Sequence, residues 1–208
     1  MSEPAGRLTK LRATLVIGVV LGAALAAAPT AARASTDSTA SRPAAARAAC
    51  PAVTRPFKPT ALTIPNVVQR TRVLALGRDR RGVPRTPPLT ERGKWQFAWD
   101  KATRAGSRYG VVRLNAHTYP GSAGAALGNR LLSRLQVGAR IVATGPDGAR
   151  LCYRVTKRRS VRAERTSAFA TYYHDSGPPR LAILVCSGKR RGPGNWSHRT
   201  IWWATPVR

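Results

Sequence analysis

Three residues of the chain have types and settings suited to joint chemistry: Cys186, His117 and Arg199. Cys186 ends the apolar run "LAILVC" and is followed at once by Ser187, Gly188 and the cations Lys189–Arg191. A thiol attacks a carbonyl as its thiolate, with a base nearby and a group to stabilise the developing oxyanion. Adjacent cations favour an ionised sulfur, and Ser187-Gly188 leave room for a substrate to approach. His117 ends "RYGVVRLNAH", just before the turn formers Tyr119-Pro120-Gly121. At such an exit an imidazole faces a cleft, where it can give and take protons. Arg199 opens "RTIWWATP". Alternation puts Arg199, Ile201 and Trp203 on one face of that strand, with Thr200 and Trp202 on the other. A cation there suits an oxyanion or a substrate carbonyl. Each residue also has a plainer reading: an inert strand-end cysteine, a surface histidine, or one solvated arginine among 36 basic residues. His174 and His198 also border polar loops, where a lone surface histidine usually has no role.

The other two cysteines differ. Cys50 lies in a stretch of low apolar content. Cys152 lies within "LCYRV", on the face opposite Leu151, Tyr153 and Val155. It is either a plain strand residue or the disulfide partner of Cys50. An odd number of cysteines in an exported chain leaves a thiol unpaired or an intermolecular bridge. There is no C-x-x-C. The three histidines and eight acids are scattered, so no metal site and no cofactor are expected.

The elements that must carry these residues are mostly strands. "ALTIPNVVQRTRVLAL" predicts two short strands around Pro65. Residues 78–94 read as a loop rich in Arg, Gly and Pro, and "KWQFAWDKA" as a short helix or a covering loop. In "AALGNRLLSRL", Leu127, Leu131, Leu132 and Leu135 have helical spacing. "ARIVATGPDGARLCYRVTK" predicts two strands about the Pro146–Gly148 turn. Residues 158–179 read as a polar connection with one helical turn near Ser167–Tyr172, before the strands "RLAILVC" and "RTIWWATPV". The pattern predicts a mainly β fold: a closed or nearly closed sheet of about eight strands with one or two short helices.

Residues 1–34 carry Arg7, Lys10 and Arg12, then the apolar stretch Ala13–Pro29, then the small-x-small site Ala32-Arg33-Ala34. This predicts an export signal peptide, or an N-terminal membrane anchor if it stays uncleaved. Residues 35–60 are rich in Ala, Ser, Thr, Arg and Pro, and read as a flexible spacer before a folded domain at 61–208. The whole chain has a formal charge of +28. Without residues 1–34, which hold four cations and one acid, it is +25. That excess suits anionic surroundings such as wall polymer or a membrane surface. Export makes nucleic acid an unexpected partner.

Taken in order, these motifs resemble the sortase family, most of all its actinobacterial class F group. A strand ending in His-Thr ("NAHTYP") precedes the helix "ALGNRLLSRL" and a hairpin after "VGARIV". A strand ending in cysteine ("AILVCSG") and a last strand opening with arginine ("HRTIWWA") follow. The likeness runs from about Leu62 to Val207. It implies a sortase-like barrel and a cysteine transpeptidase at the cell envelope that cleaves an LPXTG-like sorting signal between Thr and Gly. It implies Cys186 as nucleophile, His117 as general acid and base, and Arg199 as stabiliser of the oxyanion and substrate. Client proteins with a C-terminal sorting signal would be the donors, and an amine of a peptidoglycan precursor or another amine the acceptor. The chain departs from the usual pattern at Ala116 (commonly Gly), at Val185 (commonly Thr), and at Ala182-Ile183 (commonly Thr-Leu). A reading from another class remains: a secreted, non-catalytic basic module that binds anionic wall polymer or membrane. A transpeptidase that crosslinks peptidoglycan directly fits poorly, because that class places glycine just before its cysteine and arginine shortly after it.

Overall fold

The computed structural model describes residues 50, 55–121, 124–165 and 169–207. The expected signal or anchor, and most of the expected spacer, lie outside the described residues. The strands are β1 (Ala61–Ile64), β2 (Val68–Ala75), β3 (Phe97–Trp99), β4 (Val111–Ala116), β5 (Arg140–Thr144), β6 (Arg150–Arg162), β7 (Arg180–Gly192) and β8 (Asn195–Val207). Two helices, α1 (Leu127–Arg134) and α2 (Ala170–Tyr173), accompany them. The strands close into a barrel in the order β1-β2-β3-β4-β7-β8-β6-β5. Closure leaves no unpaired sheet edge. The mainly β barrel of eight strands and two helices is the architecture the sequence predicts.

Period-two alternation explains both layers of the core. Val112, Leu114 and Ala116 of β4, Leu181, Ile183 and Val185 of β7, and Trp202 and Ala204 of β8 fill the barrel. The intervening Val111, Ala182, Ile201 and Trp203 point outward, into a second cluster closed by Tyr172 of α2. Helix α1 adds Leu127 and Leu131 to the barrel core, where Leu135 joins them just past its end. Packing reaches back before β1. Phe57 bridges to Ala105 and is buried in the core.

Several elements differ from the sequence reading. "KWQFAWDKA" holds neither a helix of ordinary length nor only a covering loop. A 3-10 turn at Gly93–Trp95 leads into β3, which lies parallel to β2. Phe97, Ala98 and Trp99 are all buried, so no alternation marks that strand. Residues 158–162 are not a connection but the end of β6, paired with His198–Trp202. Ser187–Gly192 is likewise not a loop: β7 continues through it, paired with β8 as far as Gly192 and Asn195. Backbone ladders form regardless of side-chain charge, so exposed arginines concealed both extensions.

Cys50 and Cys152 form a disulfide, which resolves the two readings of Cys152. Cys186 is the free cysteine among the described residues.

Candidate active site

The site lies on the outer face of the barrel, at the end of β4 and within the paired strands β7 and β8. Strands β4 and β7 are parallel neighbours, with Ala116 opposite Val185. Their next residues, His117 just past the end of β4 and Cys186 within β7, therefore stand at the same level. Strands β7 and β8 are antiparallel, and Cys186 is paired with Arg199. All three candidate residues line one cavity of about 720 Å³. Much of its wall is apolar, including Leu184, Phe169, Tyr173 and Trp196. Among the described residues, Val83, Leu89 and Tyr173 are three of the five exposed large hydrophobic residues, and all three line this cavity. A concentration of exposed apolar surface at a concave site marks a place where a ligand packs.

Local hydrogen bonds fix the backbone around the three residues. Thr118 Oγ1 donates to the Cys186 carbonyl at 2.7 Å, tying the histidine loop to the cysteine strand. The Gly128 N–H donates to the His117 carbonyl at 2.7 Å. A Cβ on Gly128 would stand 2.5 Å from that carbonyl oxygen and 2.4 Å from Thr118 Oγ1, so only glycine permits this approach. Asn129 brackets Tyr119: its Oδ1 accepts the Tyr119 N–H at 3.0 Å and its Nδ2 donates to the Tyr119 carbonyl at 2.8 Å. On the inner face below the thiol, Thr200 Oγ1 donates to Ser187 Oγ at 2.8 Å. Gly188 follows with φ +75°, at a register shift of the β7–β8 ladder. Such a bulge bends the hairpin just past Cys186.

His117 Nε2 lies 2.6 Å from the Pro87 carbonyl. A carbonyl only accepts, so Nε2 carries the proton. Arg199 Nη1 donates to the carbonyls of Trp196 and His198, both at 3.0 Å, which holds the guanidinium at the cavity wall. Burial pushes the Cys186 thiol above its ordinary range, and the Arg199 cation pulls it partly back. Lys189–Arg191, expected to favour an ionised sulfur, have no such effect on it. They lie on the strand beyond the bulge, where Arg191 pairs instead with Glu164 at 2.7 Å.

The other two histidines are not brought into this cavity. His198 pairs with Ser187, and its Nδ1 hydrogen-bonds Ser197 Oγ at 2.8 Å. His174 follows α2. Sequence reasoning missed the group that seats α2 against the site. Arg113, fully buried on β4, donates to Asp100 Oδ2 at 2.5 Å, to the Tyr172 carbonyl at 3.2 Å and to Asp175. Arg78 joins through Asp100 at 3.0 Å. The available signal was an arginine inside the apolar strand "VVRLNA".

No family model matches the chain, and no curated protein matches it. Solved structures do. Sortase C1 of Streptococcus agalactiae, in complex with MTSET, aligns with a TM-score of 0.51 at 16% identity, over 73% of this chain and 70% of that one. Sortase C1 of Streptococcus suis gives 0.51 at 16%, over 73% and 74%. Sortase C-1 of Actinomyces oris gives 0.50 at 17%, over 71% and 73%. At such identity the likeness speaks for architecture, and the barrel has the sortase fold.

Proposed function

We propose that the protein is a sortase-type cysteine transpeptidase that cleaves an LPXTG-like sorting signal and transfers the bound protein to an amine. The observation that carries this reading is the register of β4, β7 and β8, which gathers an imidazole, a thiol and a guanidinium on one apolar-walled cavity. The subgroup its motifs resemble is class F.

Chemistry follows from the residues. The Cys186 thiol passes its proton to the open Nδ1 of His117 as the reaction begins, and the Arg199 cation stabilises the thiolate beside the imidazolium. Its sulfur attacks the Thr carbonyl of the signal, and the Thr–Gly bond breaks. The His117 Nε2 proton passes to the departing Gly amine. A thioester to Cys186 remains. An incoming amine then loses a proton to His117 and displaces the thiol. Arg199 stabilises the oxyanion in both steps.

This reading places the protein outside the cytoplasm, at the envelope, released or held by residues 1–34. Donors are proteins with a C-terminal sorting signal, and acceptors are wall-precursor or other amines. The test is incubation of the full chain with sorting-signal peptides and hydroxylamine, read by intact-protein mass spectrometry. A peptide adduct on Cys186 and a peptide hydroxamate are expected, with loss of both in Cys186→Ala and His117→Ala. A folded protein with a free Cys186 that processes no peptide would sink this reading.

A further inference from the structure

A second cavity, of about 410 Å³, opens on the outer face of the barrel beside α2. Three cations line it: Lys157 and Arg159 of β6, and Arg180 of β7. No acid lines it, and among the described residues none of the three cations makes a salt bridge. A β-bulge sets two of them there. Val155 faces the barrel core, opposite Ala204. Two residues on, Lys157 would ordinarily face the same way. The register shifts between them, and Lys157 comes to lie opposite Trp203, whose side chain points outward. Arg159 follows, opposite the outward Ile201. Arg180 reaches the same face from the other flank of β8, by alternation with the outward Ala182.

This cavity differs in kind from the one that holds Cys186. Among the described residues, none of the exposed large hydrophobic side chains lines it. The aromatic residue that does, Trp203, is only 8% exposed and packs against Tyr172, with ring centroids 6.2 Å apart and planes at 72°. A lipid tail finds no apolar surface there, and a nucleic-acid base finds no open aromatic face on which to stack. What remains is concentrated positive charge, with the hydroxyls of Thr171 and Thr205 beside it. A cleft lined by one sign of charge focuses its field and gathers counter-ions. Guanidinium forks suit the oxygens of phosphate. The spacing suits more than one phosphate: Lys157 and Arg159 stand about 7 Å apart along β6, and β6 and β7 lie about 10 Å apart across β8.

We propose that this cavity binds the phosphodiesters of a polyol-phosphate polymer, a chain of phosphates without bases. Its phosphates lie between Arg180 on one side and Lys157 and Arg159 on the other, over Ile201 and Trp203. No residue lines both this cavity and the one that holds Cys186. Binding here therefore holds the protein on such a polymer whatever chemistry Cys186 performs, and the proposal does not rest on the transpeptidase reading.

The experiment titrates the full chain with a synthetic glycerol-phosphate hexamer at several salt concentrations around 0.15 M. Lys157→Gln/Arg159→Gln/Arg180→Gln should weaken binding at least about tenfold, and should flatten the slope of log K against log salt by about two, at ~0.7 per phosphate neutralised. Lys58→Gln/Arg72→Gln/Arg104→Gln removes the same charge from exposed residues outside the cavity, with Arg72 on β2 across the barrel. It should weaken binding by less than about threefold. Equal losses in the two triple variants would mean attraction spread over a basic surface, and would overturn the site. So would failure of the unsubstituted chain to bind the hexamer near 0.15 M salt. A deoxyoligonucleotide with as many phosphates should bind more weakly. Equal or tighter binding of it, lost in the same cavity variant, overturns the assignment to a base-free polymer. A footprint on the unsubstituted chain needs no variant to fold. The hexamer should slow acetylation of Lys157 several-fold while leaving Lys58 unchanged, and equal slowing of both overturns the proposal.

Discussion

Cys186 and Arg199 are directly paired across the antiparallel ladder of β7 and β8, so the thiol and the cation meet through backbone register rather than through a flexible loop. That cation offsets only part of the effect of burial, which keeps the thiol above its ordinary range. The protein at neutral pH should therefore hold Cys186 mostly as thiol. The rate of Cys186 alkylation should rise with pH to an inflection above the ordinary thiol value of about 8.5. Arg199→Ala removes the one favourable charge, so its inflection should lie higher still. Arg199→Lys should restore part of the difference. An inflection in Arg199→Ala at or below that of the unsubstituted protein would show that the guanidinium does not act on the sulfur.

Arg113 and Asp100 are both fully buried and joined by a charged hydrogen bond. Losing Arg113 leaves the buried Asp100 with the partly exposed Arg78 as its remaining ion-pair partner, so the cost approaches from below the about 3–5 kcal/mol of a fully stranded buried charge. Arg113→Met should cost that order of stability in urea denaturation. Arg113→Met/Asp100→Asn should cost less than the sum of the single changes, because neither charge is then left alone. Arg113 also holds the Tyr172 carbonyl, and Phe169, Tyr172 and Tyr173 line the cavity. The single variant should therefore raise KM for a sorting-signal peptide even below its unfolding temperature.

The Cys50–Cys152 disulfide spans a sequence separation of 102 residues. Closing a loop of that length restricts the unfolded chain by up to about 4.7 kcal/mol in the chain-entropy account, with 2–4 kcal/mol typical of measured bridges. Cys50→Ser/Cys152→Ser should lower stability by about 2–4 kcal/mol while leaving Cys186 as reactive as before. A thiol count on the non-reduced protein should find one, at Cys186.

The sequence made much of this architecture legible because its signals were local. The Pro146–Gly148 turn, the leucines of α1 and the alternation in "RTIWWATP" each map onto the element they predict. The three site residues were legible because each borders an apolar run, although β7 and β8 extend beyond Cys186 and Arg199. Their mutual register was not, since nothing in "LAILVC" or "RTIWWATP" states which residue pairs with which. The loop beyond Cys186 was misread because "SGKRRG" has the composition of a loop, whereas its backbone bonds are those of a hairpin. Asn115, Arg113 and Asp100 escaped notice for a related reason. A polar residue within an apolar strand discloses its role only once a partner distant in sequence is known, as Arg85, Tyr172 and Asp175 are here.

Gly128 offers the sharpest probe of how α1 sets the histidine. Its N–H bonds the His117 carbonyl, and a Cβ would fall 2.5 Å from that oxygen and 2.8 Å from the carbonyl carbon. These are backbone atoms, so the collision cannot be relieved by turning a side chain. Alanine is the better helix former by about 1 kcal/mol, which isolates the steric effect from any loss of helix propensity. In Gly128→Ala, either α1 or the exit of β4 must shift. The Thr118 link to the Cys186 carbonyl lies in the path of that shift, since the same Cβ would also meet Thr118 Oγ1. The expected outcome is a fall in kcat of about a hundredfold, the scale of a 1 Å misplacement of reacting groups. The iodoacetamide rate at Cys186 should change much less, because alkylation does not require His117. Equal losses in both measurements would mean that the substitution disturbs the thiol itself, and α1 would then be a support for β7 rather than for the histidine.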